Sequence, residues 1–349
     1  MMFKDQKEFI AFFNGLRNKE LPFVLFRLPN KNIIELYQQK DHTHYQTTTL
    51  QECGFVFAPF NVKDKYTYIP NTVKQRFFIP SVKNTPTTPN KTKTTQNKTY
   101  YLELIKAAKK AIDNKNVAKV VVSRIHNQPF SGELATSFLK LVDSYPNAMV
   151  YFWSHPKTGD WMGATPETLL SVNDNILKTM ALAGTMPYQE NVTPNWTAKE
   201  IDEQQMVTDF IQTQLETVFP KSDISTSSTY TKRAGNLVHL CSDFKVNVTS
   251  TTPLEIVHLL HPTPAVAGVP VRESIAFLNT HETHKREFYA GFFGPITASS
   301  IDLYVNLRCA QLTKNKLLIY VGGGITANSN AESEWQERIR KTETLLSVL

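Results

Sequence analysis

Glu200, Glu203, Glu334 and Glu337 are the first residues whose type and spacing could do chemistry. Glu334, Glu337 and Lys341 stand at i, i+3 and i+7 near the end of the sequence, and Glu200 and Glu203 at i and i+3 in its middle. Such spacing puts each set on one face of a helix. Two carboxylate pairs on separate helices can supply the hard oxygen ligands of Mg2+, which takes one or two carboxylates and completes its shell with ligand oxygens and water. Taken singly, each set reads more simply as a solvated stripe with a weak Glu-to-Lys pair. Lys119 and Arg124 sit in AKVVVSR. A lysine there is either a sheet-edge charge or an amine that burial turns toward a base. Glu167 follows Gly163-Ala164-Thr165-Pro166, a turn into apolar LLSV, and its plain reading is a helix-start carboxylate. Arg308 lies between apolar neighbours in VNLRCA. An unpaired charge there is costly, so it calls for an anion, from the protein or from a substrate.

Two other patterns fail on inspection. Gly322, Gly324 and Ala327 fit G-x-G-x-x-A between a strand and a helix. A dinucleotide fingerprint needs a further strand and an acidic residue about 20 positions on, and no such stretch follows before Leu349. No G-K-[ST] follows either, so the glycines serve a tight turn or the close approach of a ligand. His281-Glu-Thr-His284 has the wrong spacing for a zinc motif, whose histidines stand four apart on one helix face, and reads as a surface helix end.

Elements that could position these residues follow from hydrophobic periodicity. Helices are expected at 4–19, 100–114, 133–142, 196–219, 252–260, 272–280 and 331–349. Strands are expected at 21–28, 54–60, 118–125, 148–153, 176–184 and 236–248, and in EFYAGFFGPI, LYVNLRCAQL and KLLIYVGGG near the end. The last three are joined by short connections, which suits antiparallel pairing. Helices are grouped as well as alternating. The fold class is therefore α+β, one large domain with antiparallel sheets packed between helices. No repeat with a period of 20 to 50 residues is present.

A length of 349 residues and ordinary apolar content allow a sizeable core. No apolar run approaches the roughly 20 residues of a membrane span, and the first ten residues carry acids and no signal core, so a soluble cytoplasmic protein is expected. Cys53, Cys241 and Cys309 are too few and too scattered for a disulfide framework or a metal knuckle. The net charge of +7 suggests nucleic acid, but residues 81–98 alone supply four lysines and no acid. That loop has no aromatic residue for stacking a base and reads as a solvated segment. It separates an N-terminal subregion, 1–97, from the region 98–349 that holds the chemistry.

The order of motifs along the second region is more specific than any one of them. AKVVVSR, GATPETLL, ALAGT, KEIDEQQMV, HPTPAVAGVP, FYAGFFG, NLRCA and GGGITANSNAESEWQERIRK together resemble the chorismate-utilising enzyme family, from about residue 100 onward. Within that family the likeness is nearest to isochorismate synthases. Water-using members carry a lysine where Lys119 stands, and aminodeoxychorismate synthases place a nucleophilic lysine where ALAGT has Ala183.

The resemblance implies an isomerase that converts chorismate to isochorismate for menaquinone or siderophore synthesis. Lys119 would be the base for a water attacking C2, and Glu167 the acid for the departing C4 hydroxyl. Glu203 and Glu337 would hold Mg2+, with Glu200 and Glu334 bound more loosely or through water. Gly184 and Thr185 would take the ring carboxylate. Tyr289, Arg308, the Gly322 backbone and Lys341 would take the enolpyruvyl carboxylate, and His239 would line the pocket. No glutaminase subunit, nucleic acid or membrane is expected, and the chain would act as a monomer. Rival readings are a salicylate synthase, an amine-forming member with a glutaminase partner, and, from a different class, a basic nucleic-acid-binding protein. Two departures from the family pattern stand out: GGG replaces G-A-G, and FFGPITASSIDLYVNLR lacks the acidic hairpin usual between the YAG and RCA motifs.

Overall fold

The computed structural model describes residues 3–61, 65–78, 98–248 and 252–349. The basic loop ahead of Lys98 lies outside the described residues. The chain begins with α1 (Gln6–Asn18), β1 (Phe23–Arg27), β2 (Ile33–Gln38), β3 (Gln46–Thr47), β4 (Gly54–Ala58), β5 (Tyr66–Pro70), β6 (Val73–Phe78) and α2 (Lys98–Asp113). Then come β7 (Lys119–Pro129), α3 (Leu134–Ser144), β8 (Met149–His155), β9 (Gly159–Thr165), β10 (Thr168–Asn173), β11 (Ile176–Pro187) and α4 (Ala198–Glu216). The last part holds β12 (Ile224–Thr226), β13 (Tyr230–Ala234), β14 (Leu237–Asn247), α5 (Pro253–Leu260), β15 (Gly268–Val269), α6 (Val271–His281), β16 (Phe292–Ile296), β17 (Ser300–Val305), β18 (Cys309–Thr313), β19 (Lys316–Ile325) and α7 (Ala331–Leu346).

The strands form two large antiparallel sheets. The nine-stranded sheet runs β15-β7-β19-β18-β9-β8-β1-β2-β6, and the ten-stranded one runs β12-β14-β11-β10-β17-β16-β4-β5-β3 with β13 beside β14. Strands from before residue 80 pair with later strands in both sheets: β1 pairs with β8, and β4 with β16. The α+β class therefore holds.

Burial explains why the strands read as unbroken apolar runs. Along β8, Met149, Tyr151 and Trp153 enter the core that also takes Phe57 and Phe293 of the other sheet. Val150 and Phe152 enter a second core under α1 and α3. Both faces are covered, so alternation of polar and apolar residues is absent. α1 shows the complementary pattern, burying Phe9, Phe13 and Leu16 on one stripe, with Asp5 capping its first turn.

The structure departs from the sequence expectations in two segments that matter for the site. LYVNLRCAQL reads as one strand but is two, β17 and β18, in different sheets. Asn306–Arg308 make the crossing. The Asn306 side chain accepts from the Tyr151 hydroxyl at 2.7 Å and donates to Phe288 O, and Arg308 adopts φ 47°. No side-chain periodicity encodes that turn. Likewise Glu167 starts no helix; it sits in the short link from β9 to β10, which also passes between the sheets.

Candidate active site

The two crossings, Pro166-Glu167 and Leu307-Arg308, meet in a cleft between the sheets, of about 730 Å3 counting its open mouth. β7 contributes Val121, β19 its stretch Tyr320–Gly324, β11 Ala183, Gly184 and Thr185, and β14 His239. α4 adds Glu203, α7 adds Lys341, and Tyr289 closes the wall.

Lys119 is fully buried, and β7 is flanked on both sides by β15 and β19, so it is no edge charge. Its Nζ lies 3.3 Å from Glu203 Oε1 but has no hydrogen-bond partner of good geometry. Burial lowers the proton affinity of this amine, and the nearby Glu203 carboxylate only partly opposes the effect. Glu167 shifts the other way. Burial pushes its carboxyl up to about 8, against the pull of Lys119, Lys232 and Lys341. Glu167 lines the cleft, while Lys119 lies buried behind the cleft-lining Glu203 and Gly324, its proton affinity lowered as that of Glu167 is raised.

Close packing of Lys119 and Glu203 depends on Gly324. A Cβ there would lie 2.3 Å from Glu203 Oε1 and 2.9 Å from Lys119 Cε. At Gly323 a Cβ would point to the other face of β19, 3.3 Å from the Tyr101 hydroxyl and 3.6 Å from Glu334 Oε2. The side-chain-bearing middle position of the G-A-G pattern is thus the tolerant one. Gly324→Ala is expected to lower turnover by about tenfold or more by prising the pair apart, while Gly323→Ala keeps most of it. Equal activity of the two variants in a steady-state assay would show that the backbone approach at Gly324 is not needed.

Arg308 and His239 form the opposite wall. Arg308 donates through NH1 to Ala234 O at 2.8 Å and through NH2 to His239 Nε2 at 2.6 Å. Nδ1 of the same ring stands 2.9 Å from Gly184 O. A guanidinium cannot accept and a carbonyl cannot donate, so His239 is neutral with its proton on Nδ1. Burial, then the Arg308 charge, hold its pKa well below the usual histidine value. Arg308 has no carboxylate within ion-pair distance among the described residues, so its charge is available to an anion in the cleft. Gly184 supplies a left-handed turn at φ 67°, which disfavours any side chain there, and a Cβ would press on Glu200 at 3.1 Å. Thr185 Oγ1 approaches His239 Nδ1 at 3.3 Å.

The face of α7 that could have been a solvated stripe points inward. Glu334 is 3% exposed and Glu337 9%. Lys341 donates to Glu337 Oε1 at 2.8 Å and to Gly322 O at 3.2 Å. Glu203 reaches the same place from α4. Lys199, which the sequence reading passed over, stands among them, 3.4 Å from Glu203, 3.0 Å from Glu334 and 3.9 Å from Glu337. Burial, then repulsion from Glu337, push Glu334 up to about 7. Glu203 and Glu337 fall below the usual range, because their lysine neighbours outweigh the upward effect of burial. Glu200 does not join the cluster: its carboxylate accepts from the Thr197 N–H at 3.2 Å and from the Thr197 hydroxyl, closing a capping box at the start of α4. Tyr289 packs its hydroxyl over Gly322, where a Cβ would lie 2.7 Å away.

The His281-Glu-Thr-His284 segment is only half surface. His281 stacks on Phe277 at the end of α6. Glu282 turns inward, accepting from Ser123 N at 2.7 Å and Ser123 Oγ at 2.8 Å, and pairs with Arg286 at 2.7 Å. His284 meets the same hydroxyl at 3.1 Å. This network braces β7 at Ser123. A charge flanked by polar residues carries no sequence signal that it folds inward.

Residues 61–349 match the chorismate binding enzyme family. Isochorismate synthase MenF of Escherichia coli is 29% identical over 266 residues, 72% of this chain and 61% of that protein, so the match spans under two thirds of the relative's length. A structure described as a 2,3-dihydroxybenzoate-specific isochorismate synthase, DhbC, of Bacillus anthracis superposes with TM-score 0.80 at 19% identity, over 98% of this chain and 99% of that one. Anthranilate synthase component I of Streptococcus pneumoniae superposes with TM-score 0.70 at 18% identity, over 93% and 90%. The chain belongs to the chorismate binding enzyme family. Relatives of different names share its fold, so the reaction must be argued from the site. Among the described residues no helix is long and apolar enough to cross a membrane.

Proposed function

We propose that this protein is an isochorismate synthase. The observation that carries the reading is the opposed proton affinities of Lys119, lowered by burial, and Glu167, raised to about 8 by burial. An amine whose proton affinity is lowered and a carboxyl raised to about 8 are shifted in the directions that a base and an acid for a hydroxyl exchange require. Lys119 takes a proton from the water that bonds to C2 of chorismate. The ring double bonds shift, the C4–O bond breaks, and Glu167 gives its proton to the departing hydroxyl. Arg308, held by His239 and Ala234 O, pairs with the enolpyruvyl carboxylate, with Lys341 and Tyr289 beside it. Gly184 and Thr185 receive the ring carboxylate. Ala183 lines the cleft where a nucleophilic lysine would make an amine-forming enzyme.

The acidic cluster suits a magnesium ion in its chemistry. Three carboxylates offer hard oxygens, and Glu334 Oε2 is buried with no hydrogen-bond partner. Among the described residues no three acidic or histidine side chains already stand as a ligand set. Glu203 and Glu337 would hold the ion, with Glu334 alongside. Bound there, Mg2+ supplies charge neutralisation for a substrate carboxylate.

Purified protein incubated with chorismate and Mg2+ is expected to form isochorismate without releasing pyruvate. Salicylate with pyruvate, or an amine formed from added ammonia, would overturn the reading in favour of another member of the family. EDTA is expected to abolish turnover and added Mg2+ to restore it; full turnover in chelator would remove the metal from the proposal.

A further inference from the structure

Lys199 occupies a place that its own helix does not favour. It is the second residue of α4, where a cation opposes the helix dipole, and it stands four residues before Glu203, the less favourable order for such a pair. Tertiary contacts hold it there instead. Among the described residues it is the one cation within 4.0 Å of Glu203, Glu334 and Glu337 together. The cluster already holds cations without any ion: Lys199 touches all three glutamates, and Lys341 pairs with Glu337. A divalent cation entering between the three carboxylates competes with the ammonium that already stands among them. Lys119 is walled in at 0% side-chain exposure, and Lys341 is tied to Glu337 on its own helix and to Gly322 O. Lys199 has 14% of its side chain exposed, less than the 21% of Lys341, but it alone touches all three glutamates and so occupies the place an ion would take.

We propose that Lys199 is a built-in counter-cation that holds the three glutamates together, and that a divalent cation enters the cluster by displacing its ammonium. Lys199 then sets the affinity of the site, keeping it weak enough that ion and anionic substrate bind together. This rests on the reading of the cluster as a magnesium site. It assigns Lys199 a positioning role and no contact with reacting atoms.

The test is Mg2+ titration by calorimetry into the substrate-free protein and into Lys199→Gln and Lys199→Met, with thermal unfolding of each at zero and saturating Mg2+. The variants are expected to bind Mg2+ roughly tenfold tighter, a usual size for coupling between two mutually exclusive occupants. They should melt lower than the wild type without the ion and recover most of that loss with it. An unchanged dissociation constant, with a melting deficit that Mg2+ does not repair, would make Lys199 an ordinary ion pair and overturn the proposal. Weaker binding by the variants would overturn it as well. Absence of Mg2+ binding by all three proteins would instead sink the magnesium reading, and this inference with it.

Discussion

Lys119→Ala is expected to lower single-turnover conversion of chorismate by a factor of about 10²–10⁴, the usual cost of losing a general base, with chorismate affinity nearly unchanged. The anion-binding side chains, Arg308 and Lys341, stand on other elements and keep their partners Ala234, His239 and Gly322. Glu203 is not orphaned by the change, because Lys199 lies 3.4 Å from its other oxygen. The variant should therefore fold, and its melting temperature checks that it does. The alanine also leaves a space beside Gly324 the size of the missing stem, so a small primary amine added to the assay is expected to recover part of the rate. Near wild-type conversion would defeat the water-activation role and reopen the choice among chorismate-using reactions. A loss of affinity as large as the loss of rate would make Lys119 a binding residue.

Much of this site was legible because its helices obey a simple geometry. Glu334, Glu337 and Lys341 share a face at helical spacing whatever the tertiary fold, and so do Glu200 and Glu203. Periodicity alone does not say which face is buried. For α7 the inward reading holds, with Glu334 and Glu337 both buried. For α4 it holds at Glu203 and fails at Glu200, which the Thr197 cap recruits. Capping competes with a distant cluster for the same carboxylate, and the local partner wins by proximity. Lys199 went unread for the opposite reason: a lysine in a charged run looks solvated unless the acids of a second helix are known to arrive. The strands were legible where both faces are buried, as in β8, and illegible where function bends the chain. The turn at Asn306–Arg308 stores a left-handed arginine, and nothing in NLRC marks it as the end of one sheet and the start of the other. Short edge strands such as β6, with its exposed Lys74, Gln75 and Arg76, had too little apolar pattern to be seen at all.

Glu167→Gln separates catalysis from stability more sharply than any other change. The amide keeps the shape of the carboxylic acid but cannot give up a proton in its place, so turnover is expected to fall by about 10²–10⁴. Stability should move the other way. In the folded protein this carboxyl is pushed from 4.5 up to about 8 by burial. Between those values the folded chain holds a proton that the unfolded chain has released. Wild-type stability therefore falls as pH rises through that window, by up to about 1.4 kcal/mol per pH unit from this group. Below the unfolded value the group is protonated in both states and costs nothing. The glutamine variant lacks the titration, so it should match the wild type near pH 4 and melt higher at pH 8. The wild-type rate should also decline above about pH 8 as Glu167 loses its proton, and the residual activity of the variant should lack that limb. Thermal melts and rate profiles across pH 4–9 read both effects at once. A variant that is destabilised by the same amount at every pH would show that Glu167 is a structural acceptor, and its place as the proton donor would have to be given up.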